Sequence, residues 1–245
     1  MTEPVRFYDR KDETAIIREW DSIAPIRDRQ VASHQDASYE RVLEPWILGR
    51  VDRSTAHSIV DVGCGTGRLT SKLRLRADET VGIDPSAVSI RLARAHDDAT
   101  RFDIATAEDW VRCDSEARFD LAVANMVLMD ALDLDGIVGA LATLARGGGV
   151  LATIAHPAFW PIYWDYAGSD GFSYLDETVV ETPFRTSSKS YGLVATHVHR
   201  PIETYLSSFN RHGLVVTAFE ELRGPESIEK FPYPRFIGIE ASVLP

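Results

Sequence analysis

The spacing of hydrophobic positions changes at His57. Over residues 1–56 apolar side chains recur at helical intervals, as in Trp20, Ile23 and Ala24 and again in Tyr39, Val42, Leu43 and Trp46, which predicts two or three helices in an otherwise polar stretch. From His57 onward short apolar runs, "SIVDVG", "TVGID", "RFDIATA", "FDLAVAN" and "GVLATIA", alternate with amphipathic stretches at 67–76, 86–95 and 134–145. Runs that are apolar throughout suit strands buried on both faces, so the alternation predicts an α/β fold with a parallel sheet wrapped by helices. Within 134–145, Ile137, Val138, Leu141 and Leu144 form one stripe, and Gly147, Gly148 and Gly149 stop the helix.

After Ile154 this rhythm breaks. Residues 156–200 hold Phe159, Trp160, Tyr163, Trp164, Tyr166, Phe172 and Tyr174 within sixteen positions and read as an insertion. Its segments "TVVETPFRTS" and "YGLVATHVHR" predict a hairpin. The run "PIETYLSSFNRHG" predicts a helix with Pro201 in its first turn and Gly213 at its stop. "LVVTAFEEL" and "PRFIGIEASV" then close the chain as strands. The loop joining them, with Gly224, Pro225, Pro232 and Pro234, has no helical pattern to supply a parallel crossover, so the two strands should pair antiparallel. No repeat or linker marks a second domain. The expectation is a single domain over 1–245: an N-terminal helical cap (1–56), a core (57–155), the insertion as a substrate cap (156–200), and a C-terminal helix with a strand pair (201–245).

Composition narrows the partners. The chain of 245 residues is 44% hydrophobic and 26% charged, ordinary for a globular protein, and its formal net charge is -11. That charge disfavours nucleic acid and anionic membrane, both of which rely on clustered Lys and Arg, and leaves a neutral or cationic small molecule as the expected partner. Two cysteines, Cys64 and Cys113, have neither metal-ligand nor disulfide spacing, and no metal is expected. The first residues lack the layout of a secretory signal and no apolar run is membrane-length, so a cytoplasmic protein, monomer or homodimer, is expected.

The candidate chemistry starts at "IVDVGCGTGRL", residues 59–69. A glycine-rich turn from a first strand into its helix permits positive φ and removes the Cβ atoms that would keep a ligand from the main chain, although a tight turn without a ligand needs glycine too. The spacing is GxGxG at Gly63, Gly65 and Gly67 with Asp61 two residues ahead, unlike the GxGxxG of dinucleotide folds. Asp84, ending the next apolar run, stands where a carboxylate can accept hydrogen bonds from ribose hydroxyls.

"VDVGCGTG", "VGIDPS", "ATAEDW", "FDLAVANMVL" and "LARGGGVLATIAHP" together closely resemble the class I methyltransferases that use S-adenosylmethionine, over roughly residues 57–156 and more loosely to the C-terminal strand pair. The resemblance implies a doubly wound, Rossmann-like, seven-stranded sheet with its last strand antiparallel, and it implies S-adenosyl-L-methionine as cofactor. It places Asp61 near the methionine ammonium, and Gly63, Cys64 and Gly65 beside the carboxylate and ribose, with Cys64 in a variable slot. It places Asp84 on the ribose hydroxyls, Pro85 on the adenine face, Ala107 and Glu108 under the adenine, and Asn125 beside the donor. One position departs from the pattern: Thr106 stands where many members carry an aspartate that receives the adenine amino group, which leaves that contact to backbone, Glu108 or Asp109.

The acceptor side rests on fewer signals. A hydroxyl acceptor needs a base, and histidine suits that role near neutral pH. His156 lies just past the fifth strand and His199 in "HVHRP", which makes them the candidate catalytic residues; anchoring a turn and fixing a helix entry are their structural alternatives. Trp160, Tyr163, Trp164 and His197 are the candidate substrate contacts, with a satellite aromatic core as the alternative. Tyr8, Trp20 and Trp46 are expected to close over the cofactor from the other side. The expected function is methyl transfer to a small, apolar or aromatic acceptor, with oxygen preferred over nitrogen or carbon, and with His156→Ala lowering turnover by about 10². A binding subunit that holds the cofactor without transfer is the reading from another class, and a dehydrogenase comes third.

Overall fold

The computed structural model describes residues 5–113, 118–145, 147–185, 190–225 and 230–243. The chain opens with a short strand that hydrophobic spacing does not announce, β1 (Arg6–Tyr8), followed by α1 (Glu13–Ala32), a π-helical turn (Tyr39–Leu43) and α2 (Glu44–Val51). Asp12 caps α1 by accepting a hydrogen bond from the Thr14 amide at 3.1 Å. The helical spacing of the polar N-terminal stretch thus holds, with a strand added before it.

The five apolar runs form β2 (Ser58–Val62), β3 (Glu79–Asp84), β4 (Arg101–Ile104), β5 (Leu121–Asn125) and β6 (Gly149–Ala155). Between them run α3 (Arg68–Leu73), α4 (Ala87–His96), α5 (Ala107–Cys113) and α6 (Leu134–Leu144), and the predicted stripe of α6 is buried at all four positions. The chain continues through the short α7 (Trp160–Tyr163), β7 (Thr178–Arg185), β8 (Ser190–His199), α8 (Ile202–Arg211), β9 (Leu214–Arg223) and β10 (Pro234–Val243). The hairpin turn at 186–189 and part of the last loop, 226–229, lie outside the described residues.

One sheet has seven strands in the order β4-β3-β2-β5-β6-β10-β9. Its first five strands are parallel, and β10 runs antiparallel to both β6 and β9. The strand order reverses between β2 and its neighbours β3 and β5, which opens a crevice beyond their C-terminal ends. The core lies on both faces of this sheet, with Ile59, Val60, Val123, Val150, Ile237 and Ile239 fully enclosed. Each such side chain contributes about 1.5–3 kcal/mol by leaving water. Trp46 belongs to this core: it packs over Gly238, where a Cβ would come within 2.3 Å of the indole, and it does not close over the crevice as expected.

A second sheet has three strands in the order β1-β7-β8, joining the N-terminal strand to the insertion hairpin. Lys11 fastens the junction, with Nζ donating to Glu181 at 2.7 Å and to Thr196 at 2.6 Å. No helix among the described residues is long and apolar enough to cross a membrane.

Candidate active site

The crevice holds a cavity of about 280 Å³ walled by the glycine turn, the ends of β3 and β5, the start of α5, and one face of α1. Gly63 and Gly65 have φ of +66° and +53°. A Cβ on Gly63 would lie 2.4 Å from Val127, whereas one on Gly65 would meet nothing within 4 Å and would project into the open space. The amides of Gly63 and Cys64 turn inward to the Ile83 carbonyl at 2.8 and 3.0 Å, so the turn offers bare Cα atoms to the cavity.

Asp84 lines the cavity and holds the turn in place. Its Oδ2 accepts from the Gly65 amide at 2.9 Å and its Oδ1 from the Ser86 amide at 2.8 Å, which leaves further lone pairs free. Burial pushes its pKa up to about 6 despite those two donors. Asp61 sits behind the wall, fully buried, accepting from Thr70 Oγ1 at 2.6 Å; burial and the neighbouring Asp84 charge push it up to about 7. Tyr39, which lines the same cavity, faces the Glu44 carboxyl with its hydroxyl. Spare carboxylate lone pairs and a wall without Cβ atoms fit a ligand bearing an ammonium and ribose hydroxyls.

Of the cofactor positions named from the sequence, Gly63, Cys64, Gly65, Asp84, Pro85, Ala107, Glu108 and Asn125 all line the cavity, and Asp61 lies immediately behind it. Thr106 also lines it, and its Oγ1 caps α5 by accepting from the Asp109 amide at 3.1 Å. Asp109 pairs outward with Arg112, while Trp110 is a core residue whose Nε1 donates to Asp103 at 3.1 Å.

The acceptor-side positions named from the sequence lie apart from this cavity. His156, His197, His199, Trp160, Tyr163 and Trp164 are absent from the described cavity wall. His156 is 1% exposed, its Nε2 donates to Glu221 at 3.0 Å, and its Nδ1 accepts from the Ala158 amide at 3.3 Å, so it anchors the turn after β6. His199 Nε2 donates to the Tyr174 carbonyl at 3.0 Å, and His197 Nε2 meets Tyr166 Oη at 3.0 Å; burial holds both imidazoles below their usual range, His197 at about 3. Trp160 stacks with Tyr163 and packs on Trp164 and Phe236, while Arg235 lies over the Tyr163 ring. On the far side Phe7, Tyr166 and Phe172 form a second aromatic cluster. The rings of the insertion therefore seal satellite cores.

Glu13, Ile16, Ile17, Trp20, Ala24 and Arg27 line the cavity from one stripe of α1; of these the sequence reading, which expected a helical cap here, singled out only Trp20. Of the three rings expected on this side only Trp20 lines the cavity. Side chains of α1 pin it down: Asp21 accepts from Ser86 Oγ at 2.6 Å and from the Val88 amide at 3.1 Å, and Asp28 accepts from Arg68 Nε at 3.0 Å and from His96 Nε2 at 2.8 Å. The turn after β5 was missed as well. It places Met126 at φ +59°, a conformation that β-carbon sterics disfavour, and it brings Val127, Asp130, Ala131 and Leu132 to the cavity.

Residues 60–151 match the family described as a methyltransferase domain. A trans-aconitate 2-methyltransferase of Delftia acidovorans is 35% identical over 108 residues, 43% of this chain and 40% of the relative. A ubiquinone biosynthesis O-methyltransferase of Rhodopseudomonas palustris is 29% identical over 106 residues, 42% and 41% of the two chains. The matched stretch thus spans about two fifths of the curated relatives' length. By structure, the Burkholderia thailandensis 1,6-didemethyltoxoflavin-N1-methyltransferase, solved with 1,6-didemethyltoxoflavin and S-adenosylhomocysteine bound, shares the fold at a TM-score of 0.62 and 15% identity, covering 98% of this chain and 95% of its own. Residues 60–151 are thus similar to a methyltransferase domain, and the seven-stranded sheet shares its fold with a solved methyltransferase that binds S-adenosylhomocysteine.

The raised carboxyls predict a pH dependence. A carboxyl raised in the empty fold favours folding while protonated, and that contribution fades as pH rises through about 6 for Asp84 and about 7 for Asp61. Ribose hydroxyls and an ammonium favour the ionised forms instead. S-adenosylhomocysteine is therefore expected to bind more tightly from pH 5.5 to 7.5, by up to about tenfold per pH unit for each titrating carboxyl, with release of protons. Calorimetry in buffers of different ionisation enthalpy checks this; proton uptake or a flat profile contradicts it.

Proposed function

We propose that this protein transfers the methyl group of S-adenosyl-L-methionine to a small acceptor held between α1 and the turn after β5. The carrying observation is the cavity that joins the glycine turn and Asp84 at one side to an apolar compartment under Trp20 at the other. When bound, the cofactor supplies an electrophilic methyl on a sulfonium. The chain's own task is alignment, which can remove roughly 7–11 kcal/mol of barrier. Asp84 holds the ribose, Tyr39 lines the amino acid end with the Asp61 charge behind the wall, and the pinned α1 excludes water. Arg27 and Arg68 are cations of the wall on the carboxylate side, and each also pairs with a carboxylate, Asp36 and Asp28. Oxygen was preferred from the sequence because histidines were expected beside the pocket, and their position in the turn after β6 and behind α1 removes that support.

Calorimetry with S-adenosylhomocysteine, followed by incubation of labelled donor with a chemically broad acceptor panel, tests the reading. Micromolar or tighter binding and label transfer to at least one small acceptor are expected; absence of binding overturns it, and binding without any transfer favours a cofactor-holding subunit. In the same assay His156→Ala is expected to keep turnover within about threefold and an unchanged pH–rate profile while lowering the melting temperature, because its imidazole serves the β6 turn. A loss of about 10² in turnover with the fold intact would return the base role to His156.

A further inference from the structure

We propose that Asp130 makes the acceptor compartment a site for an amine, so that the reaction is methylation of nitrogen; this rests on the methyl-donor reading above. Asp130 ends the turn that follows β5, and its carboxyl is enclosed by protein except where it faces the cavity. Among the described residues no hydrogen bond or ion pair reaches that carboxyl; only its backbone amide is engaged, with the Val127 carbonyl at 2.8 Å.

The surroundings make this costly for the empty protein. Ile17, Trp20, Val127 and Leu132 supply apolar wall, Glu13 adds a second carboxyl to the cavity, and Glu19 acts on Asp130 from α1 with the same sign of charge. The nearby cations are committed elsewhere. Lys11 Nζ is held by Glu19, Glu181 and Thr196, and the Arg200 guanidinium by Glu177 and three carbonyls. From α8, Tyr205 is the neighbouring titratable group, and it is uncharged at neutral pH because burial raises it to about 12. An unanswered carboxyl in an apolar enclosure is completed by a ligand that brings a cation or an N–H.

The chemistry selects nitrogen over oxygen. The acceptor sheds its ammonium proton to solvent as it enters and keeps an N–H hydrogen-bonded to the Asp130 carboxylate; its lone pair then forms the N–CH3 bond as the S–CH3 bond breaks, the electron pair of that bond remaining on sulfur. Positive charge thereby moves from sulfur to nitrogen, next to a carboxylate that stabilises it as it develops. The methylated ammonium then gives a proton to Asp130, which passes it to solvent with product release. An alkoxide or phenolate would instead be generated beside the Asp130 carboxylate, where like charge opposes it. Trp20 in the opposite wall adds a π face for a cationic nitrogen.

The test uses the full chain saturated with S-adenosylhomocysteine and three matched probes, phenethylamine, 2-phenylethanol and phenylacetate, titrated by calorimetry at pH 8. The amine is expected to bind at least tenfold more tightly than the alcohol, and phenylacetate most weakly. Asp130→Asn should erase the amine's advantage while leaving the S-adenosylhomocysteine dissociation constant within about twofold; Asp130→Leu, measured in parallel, guards against an idiosyncratic effect of one replacement. Equal or better binding of the alcohol or the carboxylate, binding of none of the three, or an amine preference that survives both substitutions overturns the inference. Failure of the wild-type protein to bind S-adenosylhomocysteine is a separate result: it removes the methyl-donor reading, and this inference with it.

Discussion

Replacing Asp84 by alanine is expected to raise the dissociation constant for S-adenosylhomocysteine by about 10²-fold or more. Two hydrogen bonds from ribose hydroxyls to a carboxylate contribute about 1.5–3 kcal/mol each, and every 1.4 kcal/mol is tenfold in affinity. The substitution also removes the acceptor for the Gly65 and Ser86 amides, at 2.9 and 2.8 Å, so the glycine turn loses the group that sets its path against β3. Asp84→Asn separates the two effects, because its single carbonyl oxygen keeps one acceptor without the charge, and an intermediate loss of about tenfold is expected. Calorimetry at pH 8, above the raised pKa of about 6, is the appropriate measurement. A constant within threefold of wild type for both variants would place the ribose elsewhere.

The second large effect belongs to Arg200. Its side chain is 1% exposed and reaches from the entry of α8 to the turn that carries Asp130. Nη2 donates to the Ala131 and Leu132 carbonyls, both at 2.9 Å, Nη1 to Leu128 at 3.4 Å, and Nε to Glu177 at 3.0 Å. The turn is further tied by the Val198 amide to the Met129 carbonyl at 2.6 Å. Arg200→Ala leaves several buried carbonyls without donors and opens a cavity, which should cost about 3–5 kcal/mol and lower the melting temperature by roughly 10 °C. Turnover should fall at least tenfold with cofactor affinity little changed, since the acceptor wall is displaced and the glycine turn is not. Arg200→Lys should recover little, because an ammonium cannot span the guanidinium fork. Stability within 1 kcal/mol of wild type would refute this account of the turn.

The cavity wall around the glycine turn was legible because it is local. Asp61, the glycine turn and Asp84 lie within twenty-four residues of chain, and the strand-to-helix geometry that places them is written in the same stretch as apolar run, glycine and amphipathic run. Thr106 was flagged as a departure, and its capping of α5 explains how the position is used. The acceptor-side residues named from the sequence lie outside this cavity for an equally physical reason. Histidines and rings were taken as chemistry by residue type, but the end of β6 and the insertion point toward β9, β10 and the N-terminal strand, where those groups fill satellite cores. Nothing in a local window says that β1 pairs with β7 across more than 170 positions, or that Arg200 reaches back to Leu128.

Sequence alone determined the α/β alternation, the antiparallel close of the sheet and the carboxylate of Asp84 beside the glycine turn, since hydrophobic period, turn chemistry and a compact motif all act between near neighbours. Only the tertiary structure decided which face of α1 lines the cavity and that the Asp130 carboxyl lines it as well. Those depend on long-range pairings, Asp21 with Ser86, Asp28 with His96 and Arg200 with the turn after β5, whose partners meet only when the sheet has brought distant segments to one edge.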